Sequence, residues 1–345
     1  MSDSPISARA AQAGKFRNSE IEYRNPPSKL FEMIRAYMRA ERAAPVPEQP
    51  LPLRRIPAAE LADTAGPATV YRLGHSSVLM RLDGQYLLTD PVFSERASPL
   101  QWMGPKRFHP LPFELEALPQ IATVVLSHDH YDHLDKDSIL ALDHKVERYV
   151  APLKVGNHLR RWGVAVDKII ELDWWQSVSV GSLTFTATPA QHFSGRGLTD
   201  RDKTLWAGWA IESRDARIFF SGDSGYFSGF REIGERLGPF DLTLIETGAY
   251  NALWSEIHML PEQSVQAHID LRGAVMLPIH NSTFDLALHD WYEPLERAAA
   301  AAARQGVHLV TPMIGAPLQV GAAVETRAWW RDLMGPARAQ LAPDR

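Results

Sequence analysis

The chain of 345 residues has no cysteine. That excludes a disulfide framework and leaves any metal site without thiolates, though it does not by itself fix the compartment. No apolar stretch reaches membrane-spanning length. The opening residues, MSDSPISARAAQAGKF, lack a signal-peptide apolar core, so a cytoplasmic protein is expected. There is no basic run either. Lys and Arg total 36 against 41 Asp and Glu, a net charge of −5, and no nucleic-acid partner is expected. No internal repeat is visible. What is present is ordinary for a soluble globular chain: 45% hydrophobic residues, 22% charged, and 10 Trp to supply a large core or pocket.

Against this background one stretch stands out, IATVVLSHDHYDHLD at 121–135. A β-branched apolar run ends at Ser127 and delivers His128, His130, Asp132 and His133 into a loop. Imidazole and carboxylate suit zinc and related divalent ions. Residues two apart in an extended loop point the same way, so His128 and His130 can grip one ion while Asp132 and His133 turn toward a second. Two four-coordinate sites need more ligands than this loop holds. Three later strand ends have the same form: Leu183–Thr188 leads to His192, Ile218–Phe220 to Asp223, and Val275–Ile279 to His280. With Asp223 bridging, the count closes.

Around these positions the pattern reads as follows. Residues 1–67 form an N-terminal region: an irregular arm or poorly ordered tail, a helix over 28–42 capped by Ser28, and a stiff Pro-rich connector. Leu30, Ile34, Tyr37 and Met38 share one helix face. The helix packs on the domain or on a partner subunit, with a homodimer in view. Alternatively, Lys29, Arg35, Arg39 and Arg42 carry it to a membrane surface. A compact domain spans 68–330, with a peripheral tail at 331–345. Strands are expected near 70–73, 77–82, 86–89, 148–150, 168–172, 177–180, 183–188, 207–213, 217–221, 242–246, 274–279 and 308–311. Helices are expected near 136–143, 153–162, 228–237, 261–271 and 285–304. Asp83-Gly84 marks a hairpin. Strand blocks in both halves with helices between them predict two packed sheets covered by helices. Lys106, Arg107 and Arg196 are read as solvated charge or phosphate contacts, and His75 as pointing toward the site or hydrogen-bonding structurally. His109, His144, His158, His268, His289 and His308 lack sequence partners.

H-x-H-x-D-H, then a lone His, a G-D strand end and another lone His resembles the metallo-β-lactamase-fold hydrolases over roughly 69–315. The resemblance implies an α/β four-layer αββα sandwich with two Zn2+ per chain, Mn2+ or Fe2+ being alternatives. It assigns His128, His130 and His192 to the first metal, and Asp132, His133 and His280 to the second. Asp223 would bridge them, and Asp90 would support the ligand loop. GHSSV at 74–78, TDPVFSERASP at 89–99, MGPKRF at 103–108, SHDHYDHLD at 127–135, ELDWW at 171–175 and GPFDL at 238–242 are similar to N-acylphosphatidylethanolamine-hydrolysing phospholipase D and its bacterial relatives. His258 matches a histidine near the active site of that family. Glu246-Thr247 depart from a more apolar pair, and Asn281-Ser282 from Trp-Gly.

The resemblance implies a phosphodiesterase of lipid metabolism, taking a phosphodiester or lipid substrate and associating with membrane through 28–42. On that reading two divalent ions, roughly 3.5–4 Å apart, would activate a bridging hydroxide as the nucleophile. Asp132 or a second metal-bound water is the candidate to protonate the leaving group. The rival on the same scaffold is a lactonase or other carbonyl-ester hydrolase, because one fold hosts many chemistries. The rival of another class, a non-catalytic metal-binding module, predicts an eroded ligand, and all seven positions are filled.

Overall fold

Short apolar runs with period-two alternation pair into two sheets in the computed structural model, which describes residues 14–23 and 27–334. The first sheet holds β1 (Thr69–Gly74), β2 (Ser77–Leu82), β3 (Gln85–Thr89), β4 (Ile121–Val125), β5 (Val146–Pro152), β6 (Ile169–Leu172) and the short β13 (Pro317–Gln319). They are ordered β13-β1-β2-β3-β4-β5-β6. The second holds β7 (Ser177–Val180), β8 (Leu183–Thr188), β9 (Gly208–Glu212), β10 (Arg217–Phe220), β11 (Phe240–Glu246) and β12 (Gly273–Ile279), ordered β12-β11-β10-β9-β8-β7. Asp83 and Gly84 both take positive φ, 50° and 76°, the turn a tight hairpin between β2 and β3 requires.

Alternation decides which face each residue covers. Val125 on β4 and Ile218 and Phe220 on β10 enter the core between the sheets. Val124 and Phe219 point outward from the same strands. The outer face of the first sheet is covered by α3 (Lys136–Leu142) and α4 (Gly156–Arg161), through Ile139, Leu142 and Leu159. The outer face of the second is covered by α5 (Gly229–Leu237), α6 (Pro261–Asp270) and α7 (Glu293–Gln305), through Phe230, Ile233, Val265 and Ala301. The result is the expected αββα sandwich. Among the described residues, no helix is long and apolar enough to cross a membrane.

Several local expectations change. No strand forms over 308–311: only an isolated bridge joins Leu309 to Met276. Thr311 N–H turns instead to the Thr326 hydroxyl at 2.5 Å, and Pro312 follows without an N–H to extend pairing. The helix expected from 285 starts at Glu293. Pro294 suits its first turn, and the residues before it are held by tertiary bonds, Arg42 to Asp285 and Ala44 N–H to Asp290 (2.6 Å).

The first helix, α1, spans Pro27–Arg39, so Ser28 lies inside its first turn instead of capping it. Tyr37 stacks on Trp254, whereas Met38 is 83% exposed, so these two do not share an environment. The side chains of Leu30 and Ile34 lie outside what is described. The Pro-rich stretch contains a short helix, α2 (Ala58–Ala62), and buries Leu51, Ile56 and Leu61 against the sandwich. Residues 1–13, 24–26 and 335–345 lie outside the described residues. The part of the N-terminal arm that is described is packed: Phe16 is buried, and Asn18 bonds both ways to the backbone of His192 (2.8 and 2.9 Å).

Candidate metal centre

Four strand ends meet at one edge of the two sheets. β4 runs out at Ser127, which Asp90 seizes twice: Ser127 N–H donates to Oδ1 (2.7 Å) and the hydroxyl to Oδ2 (2.5 Å). The same carboxylate accepts from His133 Nδ1 at 2.7 Å. Each bond commits a Nδ1 or backbone group and leaves His133 Nε2 for the cleft. His128 Nδ1 lies 2.9 Å from the Ser127 hydroxyl, so the chain of donors runs from both histidines into Asp90. On the second sheet, β10 is followed by Ser221 and then Gly222, whose φ of 56° turns the chain into Asp223. A Cβ at Gly222 would lie 2.6 Å from Ser127 Cβ. Glycine is thus needed both for the conformation and for the approach of the two ligand loops.

The ligand atoms sort into two groups. His128 Nε2 and His192 Nε2 lie 2.9 and 3.2 Å from His130 Nδ1. His192 is oriented from behind by Nδ1 donating to the Ile257 carbonyl at 3.0 Å. In the other group His133 Nε2 and His280 Nε2 each lie 3.1 Å from Asp223 Oδ2, and Asp132 Oδ2 is 3.4 Å from His280 Nε2. Asp223 Oδ2 is 3.9 Å from both His128 Nε2 and His192 Nε2, which places this carboxylate between the groups. All seven residues singled out as ligands are brought together.

The charge balance is that of a cation site. Asp223 is buried, which would raise its pKa, but His133 and His280 outweigh burial and hold it well below the usual carboxylate range. Burial depresses His280 too, yet Asp223 and Asp132 lift it to about 10. Burial wins at His128 and His192, which fall well below the ordinary imidazole value. Asp223 Oδ1, both nitrogens of His280 and His133 Nε2 are buried without a hydrogen bond. Buried polar atoms without partners are costly, and a cation would take the lone pairs of Asp223 Oδ1 and of one nitrogen each on His133 and His280. Ligand atoms lie within 4.8 Å of one another in four sets: His128, His130 and His192; His128, His133 and Asp223; Asp132, His133 and His280 together with His75; and Asp223 and His280 together with Glu246 and His258. Without thiolates, the nitrogen and oxygen donors fit divalent metal ions.

Other residues find definite places. His75 Nε2 meets Asp132 Oδ2 at 3.1 Å and its ring lies 3.9 Å from that of His280, so it borders the site and steadies a ligand. His258 Nδ1 lies 4.0 Å from Asp223 Oδ2. Arg107 and Arg196 are not solvated charges. Arg107 lies over Phe284 and donates to the Val92 carbonyl, and burial lowers it to about 10. Arg196 lies over Tyr131 and donates to the carbonyls of Asp129 and Leu134, both at 2.7 Å. Lys106 is exposed and pairs with Glu95.

Two buried neighbours of the ligands were not singled out as site residues in the sequence. Asp129, between the ligands His128 and His130, is buried and accepts from His158, Gly195 N–H and Thr204. Its place between two ligands two residues apart turns it away from the metal side, so the sequence offered no partner for it. Glu246, seen only as a departure from the phospholipase pattern, is fully buried and pairs with His258.

A family model described as a beta-lactamase superfamily domain matches residues 85–281, and the chain belongs to that family. Fold and clustered ligands together define a metal-dependent hydrolase. An uncharacterized Mycobacterium tuberculosis protein is 44% identical over 306 residues, covering 88% of this chain and 80% of its own length. The Caenorhabditis elegans N-acyl-phosphatidylethanolamine-hydrolyzing phospholipase D 1 is 38% identical over 261 residues, covering 72% of this chain and 73% of its own. Among solved structures, a metallo hydrolase from Ignicoccus hospitalis superposes with a TM-score of 0.57 at 21% identity, covering 73% of this chain and 98% of that one. An isothiocyanate hydrolase from Delia radicum gut bacteria gives 0.58 at 19%, covering 72% and 98%. These two likenesses show the fold alone.

Proposed function

We propose that the chain is a two-zinc phosphodiesterase that hydrolyses N-acylethanolamine phospholipids or closely related phosphodiesters. The observation that carries this reading is the 38% identity to the nematode phospholipase over 261 residues, joined to a site in which every ligand position is filled and converges on Asp223. His128, His130 and His192 would hold one ion, Asp132, His133 and His280 the other, and Asp223 both. Bound there, two divalent ions supply a water of lowered pKa and offset charge on the substrate oxygen.

The chain's own residues orient the rest. Asp90 and Ser127 fix the tautomers of His133 and His128, and Ile257 fixes that of His192. Asp132, with 17% of its side chain exposed and His75 holding one oxygen, is the ligand carboxylate open to the cleft and the candidate to pass a proton to the leaving oxygen. His258 stands beside Asp223 at the cleft rim, where it contacts substrate.

The test is turnover by purified, zinc-loaded protein. Release of N-acylethanolamine from N-acylphosphatidylethanolamine is expected. If a lactone is hydrolysed and the phospholipid is not, the phosphodiesterase reading fails.

A further inference from the structure

A metal ligand has backbone groups of its own to satisfy. His192 is fully buried, so its main-chain N–H and C=O need partners inside the protein. No sheet supplies them, because β8 has already ended at Thr188. Both partners come from one side chain of the N-terminal arm, 174 residues away. Asn18 Nδ2 donates to the His192 carbonyl at 2.8 Å, and His192 N–H donates to Asn18 Oδ1 at 2.9 Å. A primary amide carries donor and acceptor side by side, so it can pair with a residue's backbone as a neighbouring strand would. Among the described residues, no other hydrogen bond reaches these two backbone groups. Asn18 Oδ1 also accepts from the indole N–H of the buried Trp206 at 3.0 Å, which fixes the way the amide faces.

The arm is fastened on either side of Asn18. Phe16 is buried in the core between the sheets and its N–H donates to the Asp202 carbonyl at 2.7 Å. The Glu20 carboxylate accepts from Ser228, from its N–H at 3.0 Å and from its hydroxyl. The His192 ring is held by the Ile257 carbonyl, but that bond fixes only how the ring turns. Where Nε2 stands depends also on the main chain that carries the ring, and Asn18 holds that chain. We propose that Asn18 is a positioning residue for the metal bound by His128, His130 and His192. With the arm docked, His192 Nε2 stays within reach of its two fellow ligands. Without the Asn18 amide, two buried backbone groups lose their partners, the loop relaxes, and that ion is held less tightly. Among the described residues, 14–23 give no hydrogen bond to Asp132, His133 or His280, so the second ion does not depend on the arm in this way. The inference rests on the two-metal assignment and not on the identity of the substrate.

Zinc titration of the full chain against a competing chelator tests it. Asn18→Ala should weaken one of the two binding steps about 10–100-fold, the usual effect of losing a partner that orients a ligand, and leave the other step as it was. Glu20→Ala loosens the same arm at Ser228 without touching His192, and both of its binding steps should match the wild type. In a His192→Ala background, Asn18→Ala should have no further effect. Hydrogen exchange of the His192 amide gives a second readout: it should run about tenfold faster in Asn18→Ala, the scale of one lost hydrogen bond. Asn18→Asp keeps the size and the acceptor but gives up the donor to the carbonyl. It should weaken the same step, and it decides the matter if Asn18→Ala does not fold. Unchanged zinc affinity in the Asn18 variants overturns the proposal. So does an equal loss in Glu20→Ala, which would make Asn18 one fastening of the arm among several, or an effect that persists without the His192 ring. A wild type that binds no zinc defeats the two-metal reading itself, whereas two ions held equally well with and without the Asn18 amide defeat the role of Asn18 alone.

Discussion

Asp90 accepts three hydrogen bonds, and all of them end on the ligand loop. It touches no substrate position; it acts through His133 and Ser127. Replacing such a partner typically weakens metal binding by about 10–100-fold. Asp90→Ala should therefore lower zinc affinity by that factor in a competition titration against a chelator, and an unchanged affinity would remove Asp90 from the account. His268 shows a different use of burial. It sits under β11 with Nδ1 2.7 Å from the Thr243 hydroxyl, and burial lowers its pKa to about 4 from the ordinary 6.5. The folded state thus holds this proton less tightly than the unfolded chain. Its stability contribution is complete above about pH 6.5 and is lost as pH falls toward 4, about 2–3 kcal/mol by roughly pH 4.5. Urea midpoints at neutral and acid pH should fall further in the wild type than in His268→Gln; equal falls would contradict the assignment. At this scale the sequence disclosed the ligands, because each lies in the short loop that follows an apolar strand. It did not disclose Glu246 as the partner of His258 or Asp129 as a hub, because those contacts join residues that only the folded chain brings together.

At the scale of elements, the strands were legible wherever the apolar run was long and pairing was continuous, as in β4 and β11. Legibility failed at 308–311, where side-chain bonding to Thr326 replaces a ladder, and at 285–292, where tertiary bonds hold a loop that composition alone would make helical. The elements also differ in how tightly they are tied to the centre. Gly222 has both positive φ and a close approach to Ser127, whereas Gly306, the αL residue closing α7, has φ of 67° and open space around it. Gly306→Ala should cost about 1 kcal/mol in urea unfolding and leave zinc content intact. Gly222→Ala should cost more, roughly 1–3 kcal/mol, and reduce zinc content too, because overpacking there separates the two ligand loops. Loss of zinc in the Gly306 variant, or full zinc content in the Gly222 variant, would show that this coupling is misplaced.

For the whole molecule, the two sheets exist in a form that sets four strand ends at one edge. Trp209, buried between the sheets on β9, donates its indole N–H to the Leu126 carbonyl at 2.9 Å, linking the second sheet to the start of the ligand loop. The αββα layering was readable from strand and helix order, since few architectures bury two such sheets. The convergence of Asp132, His133 and His280 around Asp223 was inferred from ligand counting and family resemblance, and only the fold supplies the distances. The most direct measurement is zinc bound per chain after equilibration and gel filtration, for the wild type and for Asp223→Asn. The account predicts two ions per wild-type chain and at least one lost when the carboxylate lying between the two ligand groups is neutralised. A wild type that holds less than one zinc, or an Asp223→Asn chain that keeps two, would contradict it.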